Sequence, residues 1–449
     1  MFTQPGVPRL TADAARPTLE AIRAGIRRHH AATEVRPLVN PYRTLRSVVR
    51  FQRVETDRVE RRLARAASVE DLRRIARRRL PGGVFDYIDG GAEDERTLAG
   101  NQAAFAAATW RPRVLRGVEE IDVASTLLGR PLAYPLVLAP TGFTRIADPD
   151  GELAVARAAA RAGLPYTLST LSTRSIEEVR VVSDGRLLFQ VYAWRDRGLV
   201  KEMVQRAAAA RYEALVLTVD TAVFGRRERD VRRGFSLPPT IGPGTLVDGA
   251  RHPGWTWAFV RSEPIRFANV AGHDVDDGAS PVTLSDYINT QVDSTLSWAD
   301  VDWLRSIWDG PIVLKGVQTV EDAVLAADAG IEAVALSNHG GRQLDGAPAA
   351  LTLVAPVADA VGDRTEIICD GGVRRGSDIA KAVAAGATAA MAGRAYLYAL
   401  GAAGERGVDR VLEWFRADLV RTLSLVGAGT VADLDRSLID LPERLEPDR

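Results

Sequence analysis

From residue 136 onward the chain alternates short β-prone runs with Ala-rich helical stretches, eight times over. The first half has β-like runs at Leu136–Ala139, Tyr166–Leu168, Leu187–Tyr192 and Leu215–Val219, with helical stretches at 151–162, 175–183 and 197–210. After a long interruption come Ile312–Leu314, Ala333–Leu336, Glu366–Cys369 and Ala389–Met391, with helical stretches at 320–329, 348–361, 376–385 and beyond. Such alternation calls for parallel strands covered by helices. A count of eight calls for an α/β fold of the closed (β/α)8 TIM-barrel type. A doubly wound sheet is disfavoured because no Gly-x-Gly-x-x-Gly follows the first run.

The flanks differ from this core. Residues 1–80 hold nineteen arginines, no lysine and eight acids, although the whole chain sums to zero net charge. The remainder is therefore acidic, which suits an extension that docks on barrels, its own or a neighbour's. Leu19, Ile22 and Ile26 are spaced for an amphipathic helix, and Pro37 and Pro41 break it. A cap-like Ser68-Val69-Glu70-Asp71 opens a helix through Arg79, stopped by Pro81-Gly82-Gly83. The reading is an Arg-rich extension over 1–68, a barrel over 69–440 and a tail over 441–449. An insertion over 225–297 follows strand four. It carries Gly242-Pro243-Gly244, Pro253-Gly254 and the aromatic residues Trp255, Trp257, Phe259 and Phe267. A lid, a packing element, or a surface for peripheral attachment to the inner face of a membrane all accommodate it.

One cysteine excludes a disulfide framework and multi-Cys metal or iron–sulfur sites, and no metal is expected. No uncharged apolar run reaches spanning length, and residues 1–30 show no apolar leader core, so a cytoplasmic location is expected. The extension's arginines are interleaved with Glu55, Asp57 and Glu60, which argues against a nucleic-acid partner. Only three lysines occur, Lys201, Lys315 and Lys381. In so arginine-rich a chain each is a candidate for work that arginine cannot do.

Barrels of this kind do chemistry at the C-terminal strand ends. Polar residues fall there in turn: Pro140-Thr141-Gly142, Ser169-Thr170, Gln190-Val191-Tyr192, Thr218-Val219-Asp220 and Lys315-Gly316 in the first five units. Ser337-Asn338-His339-Gly340-Gly341-Arg342, Asp370-Gly371-Gly372-Val373-Arg374 and Gly393-Arg394 complete the ring. Glycines after strands seven and eight, with Arg374 and Arg394, suit a phosphate. His339 is one of five histidines, and Asp220 on another strand end is a carboxylate that can orient its imidazole. Arg342, three residues on, is spaced to clamp a carboxylate. Base, clamp and phosphate-anchored cofactor together describe oxidation of a 2-hydroxy acid.

These segments, with Phe85-Asp86-Tyr87-Ile88-Asp89-Gly90-Gly91-Ala92-Glu93-Asp94, Leu314-Lys315-Gly316 and Gln343-Leu344-Asp345, resemble the FMN-dependent (S)-2-hydroxy-acid oxidising family over about 69–440. That family includes glycolate and lactate oxidases and lactate and mandelate dehydrogenases. The resemblance implies FMN as cofactor, a small 2-hydroxy acid as substrate, and a quinone, cytochrome or oxygen as electron acceptor. It also implies a homotetramer. His339 is implied as the base, with Asp220 stabilising the imidazolium. Arg342 and the Tyr87 hydroxyl are implied to bind the substrate carboxylate, Tyr192 its hydroxyl, with Arg227 a second arginine beside the site. Lys315 is implied to lie against flavin N1/C2=O. Pro140, Thr141 and Gly142 are implied at its N5 side, and Ser169, Gln190, Thr218 and Ser337 along the ring or ribityl chain. Asp370, Gly371, Gly372 and Arg374, with Gly393 and Arg394, are implied at the phosphate. The same base and clamp serve departure of the α-hydrogen as hydride or as proton.

Gly142 and Leu171 bear on subtype. Many oxidases of the family carry alanine at the first position and glycolate oxidases a bulky tryptophan at the second. Glycine and leucine make a roomier pocket, which resembles dehydrogenases acting on lactate or a larger acid. An oxygen-using oxidase is the alternative, as is a same-fold flavoenzyme modifying a peptide or larger metabolite, which the presence of Arg342 disfavours. An inosine-monophosphate-dehydrogenase-like barrel is excluded because the lone Cys369 ends a buried strand.

Overall fold

The computed structural model describes residues 55–233, 242–270 and 290–442. The expected helix around Leu19–Ile26, the rest of 1–54 and the tail beyond residue 442 lie outside them. Eight parallel strands close into a barrel: β1 Leu136–Leu138, β2 Tyr166–Leu168, β3 Leu187–Val191, β4 Ala214–Thr218, β5 Ile312–Val317, β6 Ala333–Leu336, β7 Glu366–Asp370 and β8 Ala389–Ala392. Each strand pairs with its sequence neighbours, and β8 returns to β1 through Ala390↔Leu136. The strand ends differ from the sequence reading by three residues at most.

Alternation along the strands divides the core in two. Val137, Leu188, Val216, Val313, Ala335, Ile368 and Met391 form one buried cluster inside the barrel. Leu136, Phe189, Leu215, Leu217, Leu314 and Cys369 belong to the larger cluster between strands and helices. Burial pushes the Cys369 thiol far above its usual range, so it stays a neutral core filler. Leu127 and Leu132, from an antiparallel pair of short strands, join the inner cluster as a plug.

Helices Gly151–Arg161, Ile176–Val182, Arg197–Ala209, Val320–Asp328, Ala350–Val361, Gly376–Ala385, Arg394–Ala403 and Glu405–Val426 surround the strands. The helix of the fourth unit, Trp298–Arg305, comes only after the insertion, so the strand–helix alternation does not reveal it. Ser68 caps helix Val69–Arg79 as expected, its Oγ accepting from Asp71 N at 3.2 Å. Pro81-Gly82-Gly83 is a stop of a different kind: Pro81 ends one helix and opens the next, Gly82–Asp89. Proline suits a helix start because it contributes no N–H there. Within the insertion lie helices Glu228–Arg233, Pro243–Arg251 and Pro253–Arg261. Among the described residues no helix is long and apolar enough to cross a membrane.

The three lysines have separate fates. Lys201 is exposed, Lys381 is half-buried and donates to the Phe105 carbonyl at 2.6 Å, and Lys315 is buried inside the barrel.

Candidate active site

The inner face of the barrel is apolar below and polar at the C-terminal ends, and above it opens a cavity of about 480 Å³. Tyr87, Pro140, Thr141, Gly142, Ser169, Leu171, Gln190, Tyr192, Thr218, Arg227, Lys315, His339, Arg342, Asp370, Gly371, Gly372, Arg374, Gly393 and Arg394 line it. Asp220 and Ser337 stand behind the wall, each bonded to a residue that lines it.

The loop after β6 places His339. Residues 339, 340 and 341 all have positive φ, and a non-glycine residue in that region costs about 1–2 kcal/mol. Hydrogen bonds offset the strain: His339 N donates to Ser337 Oγ at 3.0 Å, and Gly341 N to Asn338 Oδ1 at 3.0 Å. Imidazole Nδ1 lies 2.9 Å from Asp220 Oδ1, which leaves Nε2 as the ring's free nitrogen toward the cavity. Burial raises the Asp220 carboxyl, but the charge and hydrogen bond of His339, and then Lys315, outweigh it and hold Asp220 ionised, below its usual range. A fixed carboxylate behind an imidazole sets the ring's orientation and its tautomer.

Lys315 points into the barrel beside this pair. Gly316 makes that possible: its φ is +110°, β5 bulges here, and a Cβ would lie 2.8 Å from that of Asp220. Lys315 Nζ sits 3.0 Å from Ser337 Oγ and 3.1 Å from Asp370 Oδ2. Burial disfavours its charge, yet Asp370 and Asp220 prevail and raise its pKa. Asp370, grouped by sequence with the phosphate turn, therefore turns its carboxylate onto Lys315, and Ser337 donates to it at 2.8 Å.

Arg342 stacks over Tyr87, its guanidinium 5.0 Å from the ring centroid, and Nη1 donates to the Tyr87 and Gly90 carbonyls at 2.7 and 3.1 Å. Its remaining edge makes no hydrogen bond among the described residues. Burial, then the neighbouring Arg227, push Arg342 down to about 9. An under-compensated cation of this kind gains from an entering carboxylate. Arg227 lies 5.4 Å from the same ring and 3.6 Å from Asp230 Oδ2. Asp230 lines the cavity too and went unread in the sequence, where it is one more charge in an Arg-Glu-Arg-Asp run. Burial pushes the Tyr192 phenol up, so it remains a protonated donor, and its ring stacks on Trp194.

After β7, Gly371 and Gly372 turn at φ +114° and +93°, where a Cβ on Gly372 would strike the Asn101 carbonyl oxygen at 2.4 Å. Arg374 and Arg394 flank the turn. Arg394 also braces the site, donating to the Ile88, Gly340 and Gly90 carbonyls at 3.1, 2.7 and 2.7 Å.

The family profile described as FMN-dependent dehydrogenase matches residues 76–441. An L-lactate dehydrogenase of Caulobacter vibrioides (strain NA1000 / CB15N) is 42% identical over 374 residues, 83% of this chain and 97% of that protein. A glycolate oxidase of Spinacia oleracea is 41% identical over 374 residues, 83% and 95% of the two chains. Among solved structures, a monotopic membrane protein, (S)-mandelate dehydrogenase, superposes with a TM-score of 0.81 at 38% identity, covering 84% of this chain and 100% of that one.

The cavity fits FMN. Gln190 Nε2 and Thr218 Oγ1 are buried without partners among the described residues, as a polar ring edge and a hydroxylated chain require. Lys315, paired with Thr218 on the adjacent strand, supplies a buried cation, and the glycine turn supplies an anion cradle.

Proposed function

Because this chain belongs to the FMN-dependent dehydrogenase family, we propose that it oxidises L-lactate or a larger (S)-2-hydroxy acid to the 2-oxo acid and passes the electrons to a quinone- or cytochrome-type acceptor. The observation that carries this is the meeting of the His339–Asp220 pair and Arg342 at one cavity. FMN, when bound, supplies the two-electron acceptance. Arg342 binds the substrate carboxylate through its free edge, with the Tyr87 hydroxyl beside it. Tyr192 hydrogen-bonds the substrate hydroxyl and keeps it turned toward His339. His339 Nε2 takes one proton from the substrate, the hydroxyl proton where the α-hydrogen leaves as hydride and the α-proton where it leaves as a proton, and Asp220 holds the resulting imidazolium through Nδ1–H. Lys315 keeps a positive charge at the end of β5, where negative charge develops on the cofactor side. Gln190, Thr218 and Ser169 would hold the cofactor's ring and chain, and 371–374 with Gly393-Arg394 its phosphate.

Glycine at 142 and leucine at 171, both lining the cavity, support an acid at least as large as lactate. Anaerobic bleaching of the flavin spectrum by glycolate, lactate, mandelate and longer 2-hydroxy acids tests the proposal, and no bleaching by any of them overturns it. Turnover on oxygen equal to that on a quinone or dye assigns an oxidase instead. Light scattering tests the homotetramer.

Peripheral membrane attachment is favoured by one observation. Helices Pro243–Arg251 and Pro253–Arg261 bury none of their residues, and Leu246, Trp257 and Val260 are 65%, 61% and 72% exposed. Arg261 lies 4.0 Å over the Trp257 ring, a pairing suited to the lipid headgroup region. Co-sedimentation with anionic vesicles, lost on Trp257→Ser with Val260→Ser, is the expected result.

A further inference from the structure

We infer that the insertion after β4 is also a positioning element for Tyr87, gripping the helix that presents it at three points along its length. The inference rests on the reading that Tyr87 touches the substrate carboxylate.

Helix Gly82–Asp89 starts after Pro81, which has no side-chain oxygen to satisfy the first free N–H groups. That service comes from the insertion: Asp248, on helix Pro243–Arg251, accepts from Gly82 N at 2.7 Å. A carboxylate there also complements the positive end of the helix. Asp248 is itself held, with His252 Nδ1 2.8 Å from its carbonyl oxygen and 3.3 Å from Oδ1. At mid-helix, Arg233 Nε donates to Asp86 Oδ2 at 2.8 Å. Its guanidinium lies against Gly82, where a Cβ would come within 3.2 Å of it. At the far end, Arg229 Nη1 donates to the buried Asp89 at 2.8 Å while its Nη2 pairs with Glu95.

The three grips come from Arg229, Arg233 and Asp248, in the same insertion as Arg227 and Asp230. The gripped helix bears the ring on which Arg342 and Arg227 stack. Seating of the insertion thus sets where the Tyr87 hydroxyl stands relative to the arginines. Asp248 is the useful probe because it does not line the cavity.

The test uses the FMN-loaded enzyme and anaerobic stopped-flow reduction by its best 2-hydroxy acid, reading substrate Kd and limiting rate separately. FMN retention and Tm serve as controls on folding. Asp248→Ala should raise Kd about three- to tenfold, the effect of a lost helix cap, with the limiting rate changed less than about twofold. Asp248→Asn, which keeps an acceptor oxygen, should restore most of the affinity. In a Tyr87→Phe background Asp248→Ala should add little, because it acts through that hydroxyl. Should Asp248→Ala lose FMN, Arg233→Gln is read in its place with the same expectation. Full additivity with Tyr87→Phe, or an unchanged Kd in a folded, FMN-loaded variant, overturns the inference alone. Tyr87→Phe without effect on Kd removes the reading of Tyr87 and this inference with it.

Discussion

Gly142 stops against Leu171: a Cβ built on the glycine would lie 3.1 Å from the leucine Cβ and 3.2 Å from its carbonyl oxygen. The loops after β1 and β2 are tied at this point, since Phe143 N donates to Leu171 O at 3.0 Å. The two positions that bear on subtype are therefore one contact, and should be varied together.

Gly142→Ala should press on Leu171 and narrow the cavity that both line. Loss of kcat/KM should be greater for larger 2-hydroxy acids than for lactate, by about 1–3 kcal/mol. Adding Leu171→Ala should return much of it. Steady-state kinetics across a substrate series checks both, and equal losses for all acids would separate this contact from specificity.

His339→Gln should keep FMN bound while flavin reduction slows by about 10²–10⁴. Asp220→Asn should cost less, on the order of ten- to a hundredfold, because the imidazole keeps its place but loses a counter-charge. Rapid anaerobic reduction measures both, and wild-type rates in His339→Gln would reassign the base.

Arg342→Lys keeps a charge and loses the planar fork that meets a carboxylate with two bonds. KM should rise by roughly 10- to 150-fold, equivalent to about 1.5–3 kcal/mol for a charged hydrogen bond. A dead-end 2-oxo acid inhibitor should weaken in parallel, which binding titration followed by flavin absorbance reads directly.

Two buried charges bracket the pH range. Asp220 titrates below its usual 3.8 in the folded protein, so its contribution is present above that value and lost as pH falls through the lower folded one. Lys315 titrates above its usual 10.5, so its contribution is present below that value and lost as pH rises through the higher folded one. Neither group should make Tm depend on pH between 5 and 9, and Asp220→Asn should weaken the acid limb. Thermal melts across pH check the signs.

The barrel was legible because its strands, buried on both faces, read as apolar β-prone runs between Ala-rich helices, and because polar residues end all of them. The strand-end residues that line the cavity were legible for the same reason, whereas Asp230, which comes from the insertion, was not. Helix Gly82–Asp89 was not: two glycines after a proline read as punctuation, and only the docking of Arg233 and Asp248 explains why a helix starts there. Asp370 beside Lys315 was equally hidden, because their approach depends on barrel closure across β6, not on sequence spacing.

The distribution of lysines gives the surface an unusual economy of primary amines. Lys201, on helix Arg197–Ala209, is exposed, while Lys315 is sealed inside the barrel and Lys381 is engaged with a carbonyl. Among the described residues, amine-selective acylation of the folded enzyme should therefore fall on Lys201. An electrode coupled through Lys201 would hold the molecules in one orientation, with the flavin-side lysine untouched.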